Sequence, residues 1–223
     1  MNEVIGEVLP LALGVAISPI PIIAAILMLL SPRAKGTSIG FLLGWILGIL
    51  VAVTVFTLLA SILPQEAEGS SKPIAGTIQI VLGGLLLLLA TKQWRSRPTG
   101  DTEPALPPWM QAIDTMTTAR ALMTGFLLSG LNPKNLLLGA AAGVAIGSAS
   151  LTASGTIASI AVFTILAAST VAIPVTAYLA ASARMAGPLG TLRSWLVHNN
   201  STVMAVLLLV IGVTLIGKGI GSF

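Results

Sequence analysis

The sequence predicts an all-α integral membrane protein with six transmembrane helices, arranged as two inverted three-helix repeats. Three observations predict it. The chain is too apolar to fold in water, six of its apolar runs are long enough to cross a bilayer, and a proline site interrupts the first run of each half at a matching place.

Of the 223 residues, 55% are hydrophobic and only 8% are charged, and the mean hydropathy is +1.00. A soluble domain carries about 25% charged residues. A water-soluble core of this length could not hide so much apolar surface, so the bilayer must be the solvent. The formal net charge of +4 comes from basic residues scattered at the ends of apolar runs. That pattern fits membrane orientation and not a nucleic-acid footprint. The first charged side chains are the acidic Glu3 and Glu7. A signal peptide needs a basic start, so the first run is expected to be a retained helix.

A spanning helix needs about 20 apolar residues. Segments one to three fall at 4–30, 37–63 and 74–91, and segments four to six at 121–148, 155–183 and 201–218. In a bilayer these must be helices, because open strands would leave backbone groups unpaired. A tight link at 31–36 carries Pro32 and Gly36, and a polar link at 64–73 carries Glu66, Glu68 and Lys72. The longest link, 92–114, holds Pro98, Gly100, Pro104, Pro107 and Pro108. A third polar link at 184–200 holds Trp195. The expected organisation is a first repeat at 1–92, a cytoplasmic linker at 93–114 and a second repeat at 115–223.

Lysine and arginine placement sets orientation. The links after segments one, three and five hold eight: Arg33, Lys35, Lys92, Arg95, Arg97, Arg120, Arg184 and Arg193. The opposite side holds two, Lys72 and Lys218. Both termini are therefore expected outside the cytoplasmic membrane. Three segments per half make the second half start on the opposite side from the first, a common plan for secondary transporters.

The two proline sites are Ser18-Pro19-Ile20-Pro21 in segment one and Asn132-Pro133-Lys134-Asn135 in segment four. Proline lacks an N–H and clashes with the carbonyl four residues back, so each site frees a carbonyl or two. Paired breaks in corresponding segments are the best sequence pointer to a transporter site. The competing reading of each is a plain proline kink, which the matched placement disfavours.

Lys134 is the one charged residue deep inside an expected span. A mid-bilayer lysine costs roughly 2.5–3.5 kcal/mol on insertion scales. Its candidate jobs are holding an anionic head group, hydrogen-bonding backbone carbonyls, or cycling a proton. Asn132, Asn135 and Ser18 add polar groups at the breaks, so these three and Lys134 form the expected substrate site. Pro19, Pro21, Pro133 and Pro174 are the expected helix breaks or hinges. Segment five also carries Ser169, Thr170, Thr176 and Tyr178. The plain reading of those hydroxyls is a bond back to their own helix.

Gly40, Gly44 and Gly48 recur every four residues, as do Gly139, Gly143 and Gly147. Such faces let helices approach closely, within the chain or in a homodimer. Enzyme chemistry is not expected. His198 is the single histidine, there is no cysteine, and no acidic pair lies within a span. The same facts argue against a metal site, and no cofactor is expected. No phosphate-cradling Gly-x-x-x-x-Gly-Lys-Ser/Thr is present, so the chain does not read as an ATPase. Lys134, Glu7 and Asp114 are the candidates for proton coupling.

The paired proline sites resemble the motifs of the lysine-exporter (LysE) superfamily, whose members are small six-helix proteins built from two three-helix repeats. The fuller wording resembles one branch, the GAP family, which includes the sulfolipid-addressing and glycopeptidolipid-addressing proteins. Its opening is similar to Ala12-Leu13-Gly14-Val15-Ala16-Ile17-Ser18-Pro19-Ile20-Pro21, then Ser31-Pro32-Arg33-Ala34 and Gly40-Phe41-Leu42-Leu43-Gly44-Trp45. Its second-half motif is similar to Asn132-Pro133-Lys134-Asn135-Leu136. The resemblance implies movement of cell-envelope lipids or glycolipids toward the outer surface, with membrane lipids as partners. The broader superfamily implies export of small solutes such as amino acids. Ser-Pro-Ile-Pro departs from the Pro-Gly-Pro type of those exporters. A non-transporting scaffold for envelope-lipid assembly is the third reading, and it leaves Lys134 without a task.

Overall fold

A computed structural model describes residues 1–62, 73–97 and 108–223. Residues 64–72 of the first polar link, with Glu66, Glu68 and Lys72, and residues 98–107 of the 92–114 link fall outside the described residues. So does the side chain of Arg184. The described chain is helical: α1 Asn2–Ala16, α2 Pro19–Leu29, α3 Ala34–Ser61, α4 Pro73–Arg95, α5 Thr118–Gly130, α6 Pro133–Gly147 and α7 Ala153–Ile220. A short 3₁₀ turn, Pro108–Thr115, precedes α5 and seats Met110 and Ile113 in the core.

Four stretches are long and apolar enough to cross a membrane: Ala34–Ser61, Pro73–Arg95, Ala153–Ala181 and Met185–Ile220. The pair α1–α2, bent by 54°, makes a fifth if it counts as one span. This is a multi-pass membrane protein. Its exposed surface fits that setting, with Leu58, Leu88, Ile165, Ile173 and Val210 all well over half exposed.

The two proline sites start new helices, each at the residue before the proline. Ser18 and Asn132 are N-caps in extended conformation, and Pro19 and Pro133 sit at the first helical position. There the missing N–H has no helical partner to lose. Pro21 falls in the same first turn of α2 and makes no second break. Pro174 corrects the expectation of a break or hinge at that residue. It lies inside α7, and the residue with non-helical torsions is Ala181, at φ −147° and ψ 53°. Ile173 before it is helical, and α7 runs on through Pro174. Pro10, preceded by Leu9, behaves likewise within α1.

The expected polar link at 184–200 is also corrected: it is helical and continuous with the last span. Met185–Ile220 has 36 residues, about 54 Å of helix against a hydrocarbon core of about 30 Å. Its first part therefore extends beyond the core. Leu189 and Leu196 of that part pack inward, while Trp195 is exposed.

The glycine faces are used inside the chain. A Cβ on Gly44 would lie 1.9 Å from the Leu122 carbonyl oxygen, and one on Gly143 would lie 2.5 Å from Phe56 Cβ. Gly40 meets Thr118, Gly48 meets Phe126 and Gly147 meets Thr57. α3 and the α5–α6 pair thus run side by side in the same direction along most of α3. α4 and the end of α7 run antiparallel, with Gly76 against Gly219 and Gly83 against Gly212. With both glycine stripes occupied in this way, they give no support to a homodimer.

Candidate functional site

Both breaks free the same backbone group. In an unbroken helix the carbonyl five residues before the proline would accept from the N–H of the residue before the proline. In the first break that carbonyl is Gly14, and the Ser18 N–H donates to Ala16 at 2.8 Å instead. In the second it is Leu128, four residues before Asn132. An orphaned carbonyl inside a membrane must find another donor.

The two breaks find different donors. Asn135 Nδ2, two residues past Pro133, donates back to the Leu128 carbonyl at 3.2 Å. Pro21 holds the matching position in the first break, and its side chain has nothing to donate. The donor comes from the other half: Lys134 Nζ donates to the Gly14 carbonyl at 2.7 Å. The same Nζ donates to Ser18 Oγ. Ser18 makes no capping bond to its own helix, so its hydroxyl is free to accept. Asn132 does cap its helix, taking the Lys134 backbone N–H at 3.0 Å on Oδ1. The Ala16 carbonyl, also freed by the break, accepts from Thr170 Oγ1 at 2.5 Å.

The expected site residues therefore come together. Lys134, Asn135 and Ser18 are each 5% exposed or less, and Asn132 bridges the start of α6. Both hydrogen-bond partners of Lys134 Nζ among the described residues are neutral oxygens, which leaves a basic group in the centre with no described carboxylate bonded to it. The other hydroxyls divide. Ser169 and Thr176 bond back within α7, as their plain reading has it, while Thr170 crosses to the first break.

A cavity of about 250 Å³ opens onto both breaks. Ser18, Pro19, Pro21 and Lys134, all buried, line its inner end, beside the half-buried Asn132 and the exposed Pro133. Lys92, Gln93, Ser96 and Asn200 line its mouth. Gln93 Nε2 donates to Ser201 Oγ at 3.2 Å, and Asn200 Oδ1 is buried without a partner. Sequence reasoning missed Gln93 and Asn200 as site residues because they sit where links were expected. Their signal was an amide next to the end of an apolar run. Among the described residues, no group of three or more His, Cys, Asp or Glu side chains is placed to hold a metal.

Along four helices, an apolar layer separates this cavity from the other end of the bundle. Val8 and Leu11 of α1, Leu86 of α4, Leu138 of α6, and Ile211 and Leu215 of α7 are all buried in it. Beyond the layer lies a second cavity, lined by Glu3, Glu7, Gln79 and Lys218.

The fold and site define a multi-pass membrane protein with a basic centre built where two broken helices meet. The family model of SfLAP (Sap, sulfolipid-1-addressing protein) matches residues 8–221, nearly the whole chain. The protein belongs to that family, in agreement with the resemblance to the sulfolipid-addressing branch. No curated protein and no solved structure matches it.

Proposed function

We propose that the protein is a carrier that moves a cell-envelope lipid or glycolipid with an anionic head group across the cytoplasmic membrane. One observation carries the reading: both helix breaks converge on one cavity, and the buried amine of Lys134 stands at its inner end. Lys92 at the mouth adds a second positive charge on the approach. The family's name ties it to a sulfolipid.

Binding would be coupled to shape. A head group that takes Lys134 Nζ competes with the Gly14 carbonyl and Ser18. The first break then loses the donor that ties α1 to α6. A ligand shifts a conformational equilibrium only by its differential affinity for the two states. Exchange of these hydrogen bonds is such a difference.

The reading includes six crossings in two inverted sets, with α5–α6 as the sixth and both termini outside. The parallel run of α5–α6 along α3 supports the sixth crossing. Contacts between the halves are consistent with that arrangement. α3 lies on the broken helix of the second half, and α7 lies on the broken helix of the first. Kinship with the LysE superfamily belongs to the same proposal.

A lipid is favoured over a small solute by an apolar groove of about 530 Å³ between α1 and α7. Leu13, Gly14, Ile17, Val203, Val206 and Val210 line it, next to the carbonyl that Lys134 holds. Hydrocarbon tails could stay in that groove while the head group occupies the cavity. Lipid mass spectrometry of the purified protein tests the proposal. Wild type is expected to retain an anionic lipid that Lys134→Ala loses. Equal retention by the two would remove Lys134 from the site.

A further inference from the structure

The cavity at the other end of the bundle, about 670 Å³, lies beyond the apolar layer. It is built from the start of α1, the start of α4, and the ends of α6 and α7. Glu7 and Lys218 on its wall form an ion pair at 3.4 Å, each about one-third exposed. Glu3 is exposed at the rim.

The deeper groups are neutral and unpartnered. Gln79 is only 8% exposed, yet its Oε1 has no hydrogen-bond partner. Ser148 Oγ, on the C-cap of α6, is likewise buried without one. Both line this cavity. A buried acceptor left unmade costs about 1–3 kcal/mol, and an amide in an apolar helix is hard to explain by packing alone.

We infer that this cavity is a second binding site, which takes the uncharged hydroxyl-bearing part of a head group, a polyol or sugar. An amide acceptor and a hydroxyl in the buried part match groups that both donate and accept. Glu7 and Lys218 offset each other on the wall, and the remaining charge, Glu3, stands exposed at the rim away from the buried amide and hydroxyl. The inference rests on the carrier reading for its role: the charged site at Lys134 loads, and this neutral site receives on the opposite side.

Saturation-transfer NMR with methyl β-glucoside, on the protein in lipid nanodiscs, tests it. Wild type is expected to bind the probe. Gln79→Met and, separately, Ser148→Ala are expected to weaken binding at least fivefold. Gln79→Met keeps the side-chain volume and removes the unpartnered oxygen, so its melting temperature is expected to match or exceed wild type. A lower melting temperature with unchanged glucoside binding overturns the site. So does absence of glucoside binding to wild type, or binding of tetramethylammonium in its place. Failure of the carrier reading shows separately, as equal retention of anionic lipid by wild type and Lys134→Ala.

Discussion

The two helix breaks follow one plan but are closed in different ways. Each has a polar N-cap, a proline at the first helical position, and an orphaned carbonyl five residues before the proline. The second break closes on itself, because Asn135 reaches back to Leu128. The first cannot, because Pro21 stands where Asn135 would be. It borrows Lys134 from the second, where its own sequence has Ile20. The difference teaches that the halves are not interchangeable. One break is self-contained and the other is held by a group that also faces the cavity. That dependence ties the charge of the site to the shape of the first half.

The largest expected effect comes from removing the shared donor. Lys134→Ala should reduce transport at least tenfold, equivalent to about 1.4 kcal/mol or more, while folded protein still reaches the membrane. A flux assay beside size-exclusion chromatography reads both. Near-normal flux would break the comparison, since the first break would then need no borrowed group.

Asn135→Leu attacks the self-contained break. It leaves the Leu128 carbonyl buried and unpaired, which costs about 1–3 kcal/mol. The midpoint of thermal unfolding in detergent should fall by several degrees. A midpoint equal to wild type would mean that the second break does not depend on its own side chain.

A rescue sharpens the contrast. Pro21→Asn places in the first break the residue that closes the second. Added to Lys134→Ala, it should restore about 1 kcal/mol of stability without restoring transport. The double-mutant cycle separates the structural role of Lys134 from its role toward substrate. Recovery of transport by the double variant would show that Lys134 only holds α1. The smallest effect is expected from Thr170→Val, which removes the bond to Ala16. Interhelical hydrogen bonds in membranes average about 0.6 kcal/mol, so the unfolding midpoint should shift by a degree or two.

Much of this was legible in the sequence. Hydrophobicity located the helical runs, and the Ser-Pro and Asn-Pro steps located both breaks. The same reasoning overreached at Pro174, which α7 carries without a break. It also took 184–200 for a link, since polar residues such as His198 and Asn199 mask a helix that lies beyond the hydrocarbon core. The site was half legible. Lys134 stood out by its cost, but its partner is the carbonyl of Gly14, and a backbone oxygen leaves no mark in a sequence. Gln79 passed unnoticed as one amide in an apolar run, and only its unpartnered burial in the structure distinguishes it.

The central claim is that Lys134, at the meeting of the breaks, holds the head group that is moved. It is tested most directly by reconstituting wild type and Lys134→Ala in liposomes with a fluorescent anionic lipid and measuring its transfer between leaflets. The account predicts transfer by wild type and a rate indistinguishable from protein-free liposomes for Lys134→Ala. Equal transfer by the two proteins would contradict it.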